Sequence, residues 1–276
     1  MNYRHAFHAG NFADLQKHAI VLTLLEALKA HSPTLSVIDT HAGAGGYDLT
    51  GEMARRSGEA EAGIFRLLAT QDAPAVFAPL VARFRAMNGG QDGPLYPGSP
   101  LLIAGSLRRE DRYIACELRE DDFDLLRRSL APYPFAQALK VDGFETAATR
   151  AGRGGRAFVL IDPPFERPDD YARIVATTRA VLERDPAAVL AIWTPLKDLE
   201  TFDAFIRGLE TVTNDALVAE VRLRPLLDPM KMNGSAMVVV GAPAEVEPAI
   251  AAATAWIVER LGQPGGAARV WRTTSA

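Results

Sequence analysis

The sequence predicts an α/β fold: a mainly parallel sheet of seven strands, covered by helices on both faces and finished by an antiparallel hairpin. Two observations carry this. From residue 101 to residue 209, short apolar runs alternate with helical patterns, the signature of strand–helix–strand units. The last two runs, 216–223 and 236–240, follow one another without a helix, and Asn233-Gly234 between them is a turn signal.

Element by element, residues 11–30 read as a helix buried on one side through Phe12, Leu15, Ile20, Leu22, Leu24, Leu25 and Leu28, with Asn11 as its N-cap. His31-Ser32-Pro33 ends it, and residues 35–39 form the first strand, running into Thr40-His41-Ala42-Gly43-Ala44-Gly45-Gly46. Helical patterns follow over 59–70 and 74–87, then a Gly/Pro-rich loop, 88–100, without a strand candidate. Beyond it the expected order is helix 101–107, strand 113–117, helix 121–130, strand 138–141, helix 143–149 and strand 157–161. Helix 171–184, strand 188–193, helix 199–209 and the hairpin complete the sheet. Residues 244–255 are alanine-rich and read as a surface helix. The expected domains are a main domain of residues 1–50 and 96–276, with 51–95 inserted as a small helical subdomain.

The 276 residues, 48% apolar, suffice for one large core. No apolar run approaches a membrane span and the amino terminus lacks an apolar signal region, so a cytoplasmic protein is expected. The single cysteine, Cys116, excludes a disulfide framework and a cysteine zinc site. A net charge of −4 argues against coating nucleic acid by charge alone. A local basic cleft remains open, with Arg4, Lys17, Arg108, Arg109, Arg112 and Lys231 as its candidates.

Residues 158–165, Phe-Val-Leu-Ile-Asp-Pro-Pro-Phe, form a buried strand that stops at an acid, two prolines and an aromatic ring. Prolines fix the backbone and leave carbonyls free to accept. An exocyclic amine on a base can donate one hydrogen to the Asp162 carboxylate and the other to the Pro163 carbonyl, while the ring stacks on Phe165. Two acceptors draw the amine toward tetrahedral geometry and make its lone pair available for methylation. Alternatively, the same residues form an ordinary tight turn.

Upstream, Gly43, Gly45 and Gly46 occupy the first strand-to-helix loop, where backbone passes close to a ligand. The dinucleotide fingerprint fails because Asp48 stands at its third glycine. Glu117 ends the next strand and suits two ribose hydroxyls; Asp142-Gly143 follows the third and suits an adenine amine. A glycine loop and three acids at strand carboxyl ends fit S-adenosylmethionine. Ordinary loop acids are the alternative for Glu117 and Asp142. Four of the five histidines, His5, His8, His18 and His41, fall in the first 41 residues, outside familiar zinc spacings, so no metal is expected. His18 and His41 are candidates to line the cofactor pocket.

Residues 3–11, Tyr-Arg-His-Ala-Phe-His-Ala-Gly-Asn, with Asp14 and Lys17-His18, then Asp39-Thr-His-Ala-Gly-Ala-Gly, Tyr96-Pro-Gly-Ser-Pro, Asp142-Gly-Phe and Ile161-Asp-Pro-Pro-Phe, closely resemble the bacterial ribosomal RNA large subunit methyltransferase J family over nearly the full length. The resemblance implies a Rossmann-like class I domain with a helical insertion, and S-adenosylmethionine-dependent N6-methylation of one adenine in naked 23S rRNA. It further implies that His18, His41, Ser99, Glu117, Asp142, Gly143 and Asp162 contact the cofactor or sit at its edge, that Asp162 takes the amine's proton, and that Tyr3 touches the RNA. Arg4 and Lys17 join Tyr3 as expected RNA contacts. Phe165 departs from the tyrosine of many relatives, which keeps stacking and removes a phenolic hydroxyl. A monomer is expected. The competing readings are a DNA adenine or protein glutamine methyltransferase using the same turn, and a non-catalytic RNA-binding module.

Overall fold

The computed structural model describes residues 4–227 and 232–273. Helix α1 (Phe12–His31) leads into β1 (Leu35–Asp39) and a short strand β2 (Gly46–Asp48). Helices α2 (Glu52–Ser57), α3 (Glu59–Ala62), α4 (Ile64–Leu68) and α5 (Ala78–Met87) precede β3 (Leu95–Pro97). The alternation then runs α6 (Ser99–Ser106), β4 (Arg112–Cys116), α7 (Glu120–Leu130), β5 (Ala136–Leu139), α8 (Gly143–Arg150), β6 (Arg156–Ile161), α9 (Asp170–Arg184), β7 (Val189–Leu196) and α10 (Leu199–Glu210). Strands β8 (Ala216–Arg222) and β9 (Gly234–Val240), helix α11 (Glu247–Leu261) and β10 (Ala267–Arg272) finish the chain.

The main sheet has the order β10-β8-β9-β7-β6-β1-β4-β5. Strands β5, β4, β1, β6 and β7 pair in parallel; β9, β8 and β10 add antiparallel strands beyond β7. Strand eight, β10, exceeds the seven expected. It pairs only with β8, and its segment Ala-Ala-Arg-Val-Trp-Arg is too polar and too exposed to read as a strand. A second correction is the small sheet of β2 and β3, which lies partly in the loop read as free of strands. It pins Gly46 opposite Pro97 and delivers Ser99 to the carboxyl end of β1.

Side chains alternate across the sheet as pleating requires. Leu35, Val37, Phe158 and Leu160 face a core made with α1, α6, α7 and α11, whereas Ile38, Val159 and Ile161 face α8, α9 and α10. Ile64, Leu67, Phe77, Leu80 and Phe84 of the 52–87 stretch share a third core with Leu15 and Leu22 of α1 and with Trp256 and Ile257 of α11.

Asn11 caps α1 as expected, its side chain accepting from the Asp14 N–H at 2.9 Å. The helix departs from one-sided burial: every residue from Ala13 to Leu22 is buried, including Asp14, Gln16, Lys17 and His18. Gln16 is satisfied by donating to the Ala219 carbonyl and accepting from Ser235, each at 2.9 Å. The charged residues beside it point the other way, into a cavity.

Candidate active site

The connections leave β1 and β6 toward opposite faces, which opens a crevice at their carboxyl ends. There the Thr40 N–H and hydroxyl both donate to the Leu160 carbonyl, at 3.0 and 3.1 Å, locking the two strand ends together. The crevice is a cavity of about 570 Å³. Asp162, Pro163, Phe165, His18, His41, Gly43, Ser99, Glu117, Asp142, Gly143 and Lys17 all line it, so eleven residues singled out from sequence converge. Arg4 does not; it is tied to Asp121 at 3.2 Å. Tyr3 and Lys231 lie outside the described residues.

The glycine loop and Glu117 are one unit. Gly43 adopts φ 66, a conformation that favours glycine, and a Cβ there would meet the Tyr47 hydroxyl. Its N–H donates to Glu117 Oε2 at 3.0 Å, while the Arg119 N–H donates to Oε1 at 2.7 Å. Burial raises the Glu117 pKa, against the lowering pull of these donors. Asp142 caps α8 by accepting from the Glu145 N–H at 3.1 Å, and its other oxygen accepts from Arg173 at 2.5 Å. Burial raises its pKa, but Arg173 and the N–H donors outweigh that and hold it below the usual carboxylate value. The Arg173 guanidinium also covers the Phe144 ring at 4.4 Å, and His41 meets that ring edge-on at 4.9 Å. Gly143 is packed against the Thr40 carbonyl with no room for a Cβ.

Two histidines are kept neutral. Burial lowers His18 to about 3 and His41 to about 4. His18 Nδ1 bonds the Tyr96 hydroxyl at 2.8 Å, and its buried Nε2, 3.8 Å from Asp14 Oδ1, has no hydrogen-bond partner among the described residues. His41 Nδ1 bonds the Thr40 hydroxyl at 2.8 Å.

Lys17 is placed differently from a surface RNA contact. Its side chain is only 6% exposed, and its ammonium bridges Asp162 Oδ2 at 2.6 Å and Asp14 Oδ1 at 3.0 Å. Asp14 in turn accepts from the Gly10 N–H at 2.9 Å and pairs with His5 Nε2 at 3.0 Å. Burial alone would raise the Asp14 pKa; the neighbouring His5 and Lys17 hold it well below the usual range. The amino-terminal segment is thereby strapped to the Asp162 turn. The basic cluster also separates: Arg108 donates to the Lys29 and Ser32 carbonyls and to Asp111, before the start of β4 and hence at the opposite end of the sheet, and Arg109 and Arg112 lie in the same stretch.

In the Asp-Pro-Pro-Phe turn, Phe165 has φ 51, the sole positive value at a non-glycine among the described residues. An aromatic residue in this region is held against its preference by its surroundings. The ring sits 4.9 Å from Tyr171 and 5.8 Å from Trp193, while still lining the cavity.

Sequence reasoning gave no role to Asp14, Asp39, Arg173 or Trp193. Asp39 is fully buried at the end of β1, accepts from Ser99 at 2.7 Å through Oδ2, and leaves Oδ1 without a close hydrogen-bond partner among the described residues. Burial raises its pKa to about 6. The available signal was its place as a charged residue closing an apolar strand. Asp14 is one helical turn before Lys17 and His18, a spacing that puts all three on one side. No such local signal exists for Arg173.

A sheet of this order with acids at its carboxyl edge and Asp-Pro-Pro-Phe after its fourth core strand is a class I methyltransferase fold. Residues 32–273 match the family model described as "Ribosomal RNA large subunit methyltransferase D, RlmJ". The chain is 35% identical over 250 residues to the ribosomal RNA large subunit methyltransferase J of Haemophilus influenzae, covering 90% of this chain and 89% of that one. It is 33% identical over 267 residues to the Escherichia coli protein of the same name, covering 96% and 95%. A crystal structure of a Legionella pneumophila protein superposes with TM-score 0.88 at 23% identity, over 97% of this chain and 99% of that one, and shares the fold. The chain belongs to the RlmJ family of ribosomal RNA large subunit methyltransferases.

Proposed function

We propose that this enzyme transfers a methyl group from S-adenosylmethionine to N6 of one adenine in 23S rRNA, acting on protein-free RNA. The observation that carries the reading is that Asp162 and Pro163 stand in the same cavity as Glu117 and Asp142. The cavity fits the cofactor: it offers carboxylates for ribose and adenine, glycines where side chains are excluded, and the orphaned His18 Nε2 as a polar contact. His18, His41, Gly43, Ser99, Glu117, Asp142, Gly143 and Asp162 would hold it. When bound, it supplies an activated methyl group.

This chain's own work is to hold the amine. The target adenosine leaves its stack, lies on Phe165, and donates its two amine hydrogens to Asp162 and the Pro163 carbonyl. Orientation supplies much of the rate. Because Lys17 occupies Asp162 Oδ2, we assign it to positioning that carboxylate rather than to gripping a phosphate. Tyr3 and Arg4 stay as proposed RNA contacts. The division at residues 51–95, a monomeric state and a cytoplasmic location belong to the same reading.

The test is methyl transfer from labelled S-adenosylmethionine to a protein-free 23S rRNA transcript, read by nucleoside mass spectrometry, with Asp162→Ala as control. N6-methyladenosine with the wild type and none with the variant supports the reading. Cofactor binding without RNA product turns to a DNA or protein substrate, and absence of both turns to a non-catalytic RNA-binding module.

A further inference from the structure

We propose that a second hollow adjoining the Asp162 cavity is a subsite for the nucleotide that flanks the target adenosine, with Lys197 holding its phosphate. The proposal rests on the RNA methyltransferase reading and extends it along the strand.

The hollow has a volume of about 430 Å³ and is built from the β6–α9 turn, the end of β7 and the start of α10. Phe165, Glu166, Arg167, Pro195 and Lys197 line both cavities, so the two are contiguous and Phe165 is part of their common wall. A base resting on Phe165 therefore has its neighbour at the entrance to the second hollow. The wall is stiff: Phe165 packs on Tyr171, and the Tyr171 hydroxyl is 3.2 Å from that of Thr194. Tyr171 also lines the second hollow, giving it an aromatic surface.

The other charged side chains that line it are Glu166, Arg167 and Asp198. Arg167 makes two hydrogen bonds to Asp169, and Asp198 accepts from both the N–H and the hydroxyl of Thr201 to cap α10. Lys197 is exposed and makes no ion pair among the described residues. An aromatic surface next to an uncommitted cation is the combination that tracks single-stranded RNA, and the nucleotides beside a flipped base are where such enzymes read context. In a protein of net charge −4, a cation placed at the site counts for more than the general surface field.

The test compares full-length wild type with Lys197→Gln, measuring KM for the 23S rRNA transcript over a series of salt concentrations, together with the cofactor Kd. Removing one exposed phosphate contact should raise KM roughly two- to fivefold at low salt. It should reduce the slope of log KM against log salt by about 0.7 while leaving the cofactor Kd unchanged. Lys197→Arg should restore the slope. An active wild type whose Lys197→Gln variant keeps the same KM and slope, or loses cofactor affinity in equal measure, overturns the subsite alone. A wild type that methylates no RNA overturns the subsite and the parent reading together.

Discussion

Lys17 Nζ lies 2.6 Å from Asp162 Oδ2, so the carboxylate assigned to the target amine is already held by an ammonium from α1. The same ammonium reaches Asp14 Oδ1, which links the Asp162 turn to the His5 ring and the Gly10 N–H. A target base entering the cavity meets an Asp162 whose position is fixed from one side.

Removing that ammonium should damage both stability and turnover. Lys17→Met leaves two carboxylates facing each other without their shared cation, and breaking a buried ion pair from one side costs about 3 kcal/mol. Urea unfolding should show a lower midpoint at unchanged m, and methyl transfer should fall by at least about tenfold at saturating cofactor. An unchanged midpoint would show that His5 and Gly10 compensate fully.

Asp39 gives a pH signature. Burial raises it to about 6, whereas the unfolded chain titrates near 3.8. Between these values the folded state binds the extra proton, so the group's contribution to stability falls as pH rises through this window, and its full cost is present above about 6. At about 1.4 kcal/mol per pH unit, that gap is worth about 3 kcal/mol. Asp39→Asn should therefore gain on the wild type steadily from about pH 4 to about pH 6 and stay ahead above it. Denaturant unfolding at several pH values measures this, and parallel stability curves would refute it.

Arg173 should set cofactor affinity through Asp142. In Arg173→Met, Asp142 loses its 2.5 Å partner and the Phe144 ring loses its cation. Calorimetric titration should find cofactor binding weakened roughly fivefold, about 1 kcal/mol. The loss should deepen toward about pH 5, because without the guanidinium the carboxylate protonates at higher pH. A Kd equal to the wild type at both neutral and acid pH would remove Arg173 from this role.

Phe165 separates stacking from hydroxyl chemistry. Phe165→Tyr should keep kcat within about twofold. Phe165→Ala should lose about 1–3 kcal/mol of base stacking, seen chiefly in kcat/KM for RNA with cofactor Kd retained. Loss of activity in the tyrosine variant would mean that its packing on Tyr171 and Trp193, and not its exposed face, is what matters.

The sequence by itself determined the parallel sheet, because alternating apolar runs and helical periods admit few other arrangements, and it marked the acids and glycines that close each strand. Glu117, Asp142 and Asp162 were legible for that reason: each stands within three residues of the end of a strand, and Asp162 directly follows the buried run of β6. Strand β10 was not legible, since a half-exposed edge strand has almost no apolar signal of its own. Nor was the pair of β2 and β3, which owes its existence to partners forty-nine positions apart, such as Tyr47 and Tyr96. Only the tertiary structure turned Lys17 inward onto Asp162 and set Arg173 against Asp142, and it alone scattered the arginines near residue 108 to the other end of the sheet. Charge pairing depends on distances through space, which residue spacing along the chain does not encode.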